Sequence, residues 1–417
     1  MIADRDATFA NATPQRAVID IGSNTVRMVV YGGAKRAPNV LLNESVAARL
    51  GGELQRTGRI ADKSMDAALA ALRRFRRILT DLHLKEVDVI ATAASRLAEN
   101  GGAFLDRVRE CGFQPMLLSG EEEAHTSAMG VIGAFPGARG VVVDLGGASV
   151  ELVEIDGGQC THAVSLPLGT LMLPALRAEG GDRFKQFVNR ALQAEDWAHP
   201  VDQPLYMVGG TWRALAGFAM HESKHPLTDP HGLEIGAEEA MELARRVRLT
   251  KPAKLKVSRV ASMRAAMLPD AAALLQILLG KLKPSKLVFS SWGLREGRLF
   301  QRLDPAAKTQ DPLLAGVASF AAPRGGPPML ATLVAGWTVN ALPRNGGGSE
   351  RTRLAATMLA LASTQIEPNL RLRQAISWAL HKRWIGLANE GRAMIAAALS
   401  ANCGNRELPK TLYRLAS

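Results

Sequence analysis

A 14-residue pattern that occurs twice constrains this chain more than anything else in it. VIDIGSNTVRMVVY (Val18–Tyr31) aligns without gaps to VVDLGGASVELVEI (Val142–Ile155), so Asp20 matches Asp144, Gly22 matches Gly146, Thr25 matches Ser149 and Val26 matches Val150. Each copy is two apolar, β-branched runs joined by a small polar turn, which reads as a β-hairpin. A spacing of 124 residues is far too long for a solenoid. The pattern predicts two copies of one α/β lobe facing each other across a cleft. Each lobe would offer an aspartate and a Gly/Ser turn to the same ligand.

The remaining elements fit that plan. Leu69, Leu72, Phe75, Ile78, Leu79 and Leu82 fall on one face of a helix over Ser64–Leu82, and Val87–Ala91 reads as a short buried strand. YMVGGTWRAL (Tyr206–Leu215) places Gly209, Gly210 and Thr211 at a strand end before a helix, while Ala271–Leu282 is apolar and helical and Lys286–Ser290 is a strand. After Asp304-Pro305 come loops rich in Pro and Gly (Pro323–Pro328 and Pro343–Gly348) and long Ala/Leu helices. The expected domains are residues 1–133, 134–306 and an all-helical 307–417.

The chain has 417 residues, 47% of them hydrophobic, enough for two or three cored domains. Its net charge of +12 favours an acidic partner. From Lys308 onward 13 Lys/Arg face 5 Asp/Glu, which suggests an anion-guiding tail. Cys111, Cys160 and Cys403 are scattered and odd in number, so no disulfide framework or zinc site is expected. The leader Met1–Pro14 lacks an apolar stretch and no run approaches 18 apolar residues, so a cytoplasmic protein without a membrane span is expected.

Phosphate is held by many N–H and O–H donors, and glycines let the backbone approach it closely. The turns Gly22–Thr25, Gly146–Ser149 and Gly209–Thr211 all have this chemistry. Asp20 and Asp144 sit inside apolar strands, where an unpaired carboxylate is costly. Each is either a cap for turn amides or a ligand for a hard cation such as Mg²⁺. Glu151 in the following strand favours the second role for Asp144. In LLSGEEEA, acids in a first helical turn ordinarily answer the helix dipole. The sharper reading frees one of Glu121, Glu122 and Glu123 to face the cleft and orient water as a general base, and the motif does not say which. Arg96 opens a helix after Val87–Ala91, in place either for a phosphate fork or for a surface salt bridge. His221, His225 and His231 read as a polar loop.

Together VIDIGSNTVRMVV, ATAASRLAEN, LLSGEEEAHTSAMGV, VVVDLGGASVEL and the pair VGGTWRALAG … SWGLREG resemble the exopolyphosphatase/guanosine pentaphosphate phosphatase family, over about Ala17–Gly297. Leu50-Gly51 fits a further recurrent element. The resemblance implies two actin-like, ribonuclease H-like α/β lobes around a cleft, with a C-terminal helical domain similar to HD-type phosphohydrolase folds. Only one histidine, His381, and no His-Asp pair occur after Lys308, so that domain is expected to be non-catalytic. By position the resemblance makes Glu123 the catalytic base. Asp144 and Glu151, with Asp20, would attend Mg²⁺, with a monovalent cation as a further expectation. Ser23, Asn24, Thr25, Arg96, Gly146, Gly147 and Ser149 would bind phosphate, joined by Gly209, Gly210 and Thr211, and Arg264 would line the substrate channel. Inorganic polyphosphate is the first expected substrate and guanosine pentaphosphate the second, with nucleic acid not expected and a homodimer expected. A phosphate-binding regulator without turnover is the reading of another class. The second loop departs from the family's Gly-Gly-Gly-Ser-Thr at Ala148 and Val150.

Overall fold

The computed structural model describes residues 13–258, 260–341, 350–405 and 410–416, so most of the polar leader and the Pro343–Gly348 loop lie outside the described residues. Two twisted sheets form the framework. The first holds β1 (Pro14–Ile21), β2 (Val26–Gly32), β3 (Asn39–Val46), β4 (Glu86–Ala91) and β5 (Pro115–Leu117), in the order β3-β2-β1-β4-β5. The second holds β6 (Arg139–Leu145), β7 (Val150–Asp156), β8 (Gln159–Leu166), β9 (Leu205–Val208), β10 (Glu234–Gly236) and β11 (Lys286–Phe289), in the order β10-β11-β9-β6-β7-β8. The repeat is therefore structural. In both sheets an antiparallel three-stranded meander meets a parallel fourth strand beside its first, β4 next to β1 and β9 next to β6. These are the two actin-like lobes.

A parallel neighbour needs a crossover, and in the first lobe the Asp62–Asp81 helix supplies it. It buries Leu69, Leu72, Phe75 and Leu79 as the periodicity requires. Leu82, expected on the same face, is 36% exposed because the helix has already ended and Leu82 is its cap.

The division at 133/134 needs correction. The helix Gly120–Ala134, which that division leaves with the first lobe, packs its Ala124, Ala128, Val131 and Ile132 into a core shared with Val142, Val153 and Phe300 of the second. It lies on β6, β7 and β8 and crosses the helix Leu294–Gln301 very closely. Glycines make the crossing possible. A Cβ at Gly297 would come within 1.8 Å of Thr126 O, and one at Gly130 within 2.3 Å of Gly293 O. Backbone cannot yield as a side chain can, so Gly297→Ala should lower stability by about 3 kcal/mol, the upper end of overpacking costs. Urea unfolding of the variant checks this, and an unchanged midpoint would mean that the crossing relaxes freely.

The 21-residue helix Ser262–Leu282, with a mean hydropathy of 1.4 over its most apolar 18 residues, has the length and composition of a membrane span, contrary to the expectation that no stretch would. It instead buries Ala265, Leu268, Leu274, Leu275, Leu278 and Leu279 in the core of the second lobe. His221 is also reassigned: it lies in the helix Gly210–Glu222 and not in a loop.

The C-terminal part is helical, with Pro312–Ala321, Pro328–Trp337, Glu350–Ser363, Pro368–His381, Asn389–Asn402 and Lys410–Ala416. Its basic residues are less available than their number suggests. Arg351 pairs with Asp311 and donates to Gly386 O, and Arg392, only 3% exposed, donates to Lys382 O. Lys382, 7% exposed, reaches Asn39 of β3, and Arg414 donates to Ser223 O and Lys224 O. Of these four, Lys382 and Arg414 fasten the domain to the two lobes, while Arg351 and Arg392 tie it together internally, so their charge is not spread as an open anion-guiding surface.

Candidate active site

The two polar turns meet face to face. A Cβ added at Gly147 would come within 2.9 Å of Ser23 Cβ and 3.5 Å of Asn24 N, so the second-lobe loop approaches the first at backbone distance. Gly51, from the Leu50-Gly51 element, braces the first loop by donating to Ser23 O at 2.8 Å. Between them opens a cavity of about 560 Å³ lined by Asp20, Ser23, Asn24, Thr25, Glu123, Asp144, Gly146, Gly147, Ser149, Glu151, Gly209, Gly210, Thr211 and Arg264, among others. Every residue to which the resemblance gave a base, metal, phosphate or channel role lies there except Arg96, which lines an adjoining cavity of about 440 Å³ that shares Ala148 and Ser149 with the first.

Strand register explains how the acids are aimed. Asp20 and Asp144 are penultimate in β1 and β6, each standing at the cleft end of its strand. Directly across the antiparallel ladder Asp144 faces Glu151, whereas Asp20 faces Arg27. The lobes thus share a scaffold and differ in charge. Asp144 accepts a hydrogen bond from Ser127 Oγ, and Glu151, 2% exposed, accepts one from Ser165 Oγ at 2.8 Å. Burial raises the pKa of Asp20, Asp144 and Glu151, and Glu123 and Asp144 push Glu151 further in the same direction. Gly209, at φ +110°, gives the third turn its shape, and a side chain there would meet Leu145 O at 2.6 Å and the Asp144 carboxylate at 3.1 Å.

The structure separates the three adjacent glutamates. Ser119 Oγ accepts from Glu122 N at 3.1 Å while Ser119 N donates to Glu122 Oε2 at 2.8 Å, a capping box that occupies Glu122. Glu121 is exposed. Glu123 turns into the cleft, where Arg96 Nη1 contacts its Oε2 at 3.1 Å and also donates to Leu118 O at 2.7 Å. Burial pushes Glu123 up to about 7 against the pull of Arg96, with Asp144 and Asp20 adding to the rise. A carboxyl poised near neutrality is suited to taking a proton.

Sequence reasoning missed three of the cleft's arginines. Arg27, Arg213 and Arg295 line it together with Arg264, whose Nη1 donates to Gly210 O at 2.9 Å. They come from β2 and from three different helices. Burial lowers Arg27 to about 10 with further pressure from Arg295 and Arg264, and lowers Arg213 to about 9 with pressure from Arg264, Arg295 and Arg27. The Nε atoms of Arg27 and Arg295 are buried without a hydrogen-bond partner. Their cluster is a consequence of folding, and the only signal was Arg27 opposite Asp20 in the hairpin register.

Of the two departures from the family loop, Val150 is 0% exposed, so its missing hydroxyl faces the core rather than the cleft. Ala148 lines both cavities.

The family signature of the Ppx/GppA phosphatases matches residues 29–306, from the second strand of the first lobe through the end of the second lobe. This chain belongs to the Ppx/GppA phosphatase family. A crystal structure of the Aquifex aeolicus member of the Ppx/GppA family is 26% identical, with a TM-score of 0.59 over 68% of this chain and 95% of the other. A second structure, of the Aquifex aeolicus PPX-GPPA enzyme, is 27% identical with a TM-score of 0.57, covering 68% and 97% of the two chains. An exopolyphosphatase from Cytophaga hutchinsonii shares the fold at 23% identity, TM-score 0.62, over 68% and 96%. In each case the shared part of this Ppx/GppA phosphatase amounts to about the length of its two lobes.

Proposed function

We propose that the protein hydrolyses the terminal phosphoanhydride bond of inorganic polyphosphate with Mg²⁺. The observation that carries this reading is the crowding of Arg27, Arg213, Arg264 and Arg295 around one cleft that also holds Glu123. Burial, with the repulsion of neighbouring arginines added, already depresses the first two, so a ligand with several adjacent negative charges relieves what a single charge would not. Glycine amides and the hydroxyls of Ser23, Thr25, Ser149 and Thr211 supply donors for the terminal phosphate. Glu123 accepts the proton of the attacking water, and Arg96 holds the carboxylate in place. As in phosphoryl transfer generally, positioning and charge stabilisation provide most of the rate.

Asp144 and Glu151, with Asp20 nearby, are the side chains that would hold Mg²⁺. Among the described residues no three His, Cys, Asp or Glu side chains form a ready metal cage. Mg²⁺ fits regardless, because it binds through one or two carboxylates and takes its other oxygens from water and phosphate. When bound it would neutralise charge on the phosphate oxygens.

A second reading, hydrolysis of guanosine pentaphosphate, is favoured by one feature. The adjoining cavity is lined by Leu54, Leu97, Leu166, Pro167, Leu171 and Met172, with Gln55 and Arg96 among its polar groups. It would suit a planar base next to the phosphates, and an inorganic chain has no use for it. Orthophosphate release from long polyphosphate and from guanosine pentaphosphate, measured side by side with Mg²⁺, tests both readings. On the polyphosphate reading, kcat/KM for polyphosphate is higher and Leu97→Asp leaves it unchanged. A KM for guanosine pentaphosphate raised about tenfold by Leu97→Asp would place the nucleoside in that cavity. No release from either substrate would return the protein to a phosphate-binding role without turnover.

A further inference from the structure

The C-terminal helical domain touches the cleft through a relay of hydrogen bonds. Its Pro368–His381 and Asn389–Asn402 helices are joined by a short connection whose Lys382 reaches Asn39 of the first lobe and whose Arg383 reaches Asp229 of the second. Three backbone carbonyls of that connection are held by arginines. Arg392 donates to Lys382 O at 2.6 Å and Trp384 O at 3.4 Å, and Arg351 to Gly386 O at 2.9 Å. Trp384, 1% exposed, anchors the segment, and its Nε1 donates to Trp378 O at 2.8 Å. A connection tied at so many points presents Arg383 from a rigid base.

Arg383 grips Asp229 with both arms of its guanidinium, Nε to Oδ2 at 2.5 Å and Nη2 to Oδ1 at 3.0 Å. Asp229 Oδ1 also accepts from Ser291 Oγ at 3.3 Å and from His231 N at 3.2 Å. His231 Nδ1 in turn accepts from Ser291 N at 3.1 Å, so Ser291 is fixed at two points. The carbonyl of Ser291 accepts from Nη1 of Arg213, a cleft arginine, at 3.2 Å. Arg213 needs such a tether, because the charges of Arg264, Arg295 and Arg27 push it away from the position it holds. Its charge also acts on Asp144.

We propose that Arg383 is a positioning residue for the cleft: acting through Asp229 and Ser291, it holds Arg213 against the repulsion of its neighbours, so the helical domain completes the anion site without touching the substrate. The tail's contribution is then one of geometry and extends to substrates of every length, whereas a basic surface that only holds chains would matter for long ones alone.

The test uses the full-length protein with polyphosphate, read both as turnover with Mg²⁺ and as binding by calorimetry. Binding reports on Arg213 even if the wild type does not hydrolyse polyphosphate, so this inference and the proposed function can fail separately. Arg383→Gln should lower affinity and kcat/KM by about tenfold, the lower end of what an outer-shell partner contributes. Arg383→Lys should recover part of the loss. In an Arg213→Met background Arg383→Gln should cause no further loss, which a merely structural role would not produce. Arg414→Gln removes another contact between the helical domain and the second lobe and should leave activity normal. If Arg383→Gln does not fold, Asp229→Ala takes its place, since it cuts the same relay and Arg383, whose side chain is already 39% exposed, can turn to solvent. Wild-type affinity and turnover in a folded Arg383→Gln or Asp229→Ala protein, or losses that multiply with Arg213→Met, would overturn the proposal.

Discussion

Glu123→Gln is expected to reduce turnover by about 10²–10⁴-fold while substrate binding persists, the range typical of a general base. The change is nearly isosteric. It keeps an acceptor for Arg96, 3.1 Å away, and removes only the ability to take a proton. The wild-type rate should rise with pH toward a limb near 7, where Glu123 loses its proton, and that limb should vanish in the variant. Stability supplies a control with a definite sign. Because folding raises the pKa of Glu123 from 4.5 to about 7, the stability held by the neutral carboxyl is fully present below 4.5 and is lost as pH rises through 7. Glutamine carries no charge at any pH, so the variant should lack this dependence and remain folded. Near-normal turnover would reassign the base. Glu121 would be the next candidate, since Glu122 is occupied by the capping box.

Asp144→Asn should raise the Mg²⁺ concentration needed for half-maximal activity by about 10–100-fold, and Asp20→Asn by much less. The reason is the asymmetry of the two hairpins. Asp144 lies opposite Glu151, so a cation there meets two carboxylates. Asp20 lies opposite Arg27 and 3.8 Å from Arg295, which compete with any cation for its charge. Titrating Mg²⁺ against activity for the wild type and both variants decides the matter. Equal shifts would mean that the lobes share the ion and that the cross-strand partner does not select its place.

Both predictions rest on positions that were legible before folding was considered. An aspartate one residue from the end of an apolar strand, followed by a glycine turn, has a local meaning that the β alternation alone supplies. Hence the repeat at Val18 and Val142 foretold the duplicated sheets, the apposed turns and the outlook of Asp20, Asp144 and Glu151. Periodicity likewise predicted the crossover helix up to Leu79.

Other features depend on contacts between distant segments, which no local pattern encodes. The three glutamates of SGEEEA look alike until Ser119 caps its helix with Glu122 and the helix phase turns Glu123 inward. The helix Gly120–Ala134 belongs with the second lobe because Gly130 and Gly297 let two backbones touch. Arg27, Arg213, Arg264 and Arg295 are separated by up to 268 residues and meet only in the folded cleft. The tail shows the same division. Its excess of Lys and Arg was countable from the sequence, and a count cannot say whether a guanidinium faces solvent, a carbonyl or a carboxylate. Sequence by itself determined the duplicated lobes and their acidic and glycine-rich turns, because those follow from residue alternation and turn chemistry over a few positions. Tertiary structure alone decided which glutamate faces the cleft, which arginines crowd it and what the tail's charges hold, because each of these is a through-space balance of burial and Coulomb forces between residues far apart in the chain.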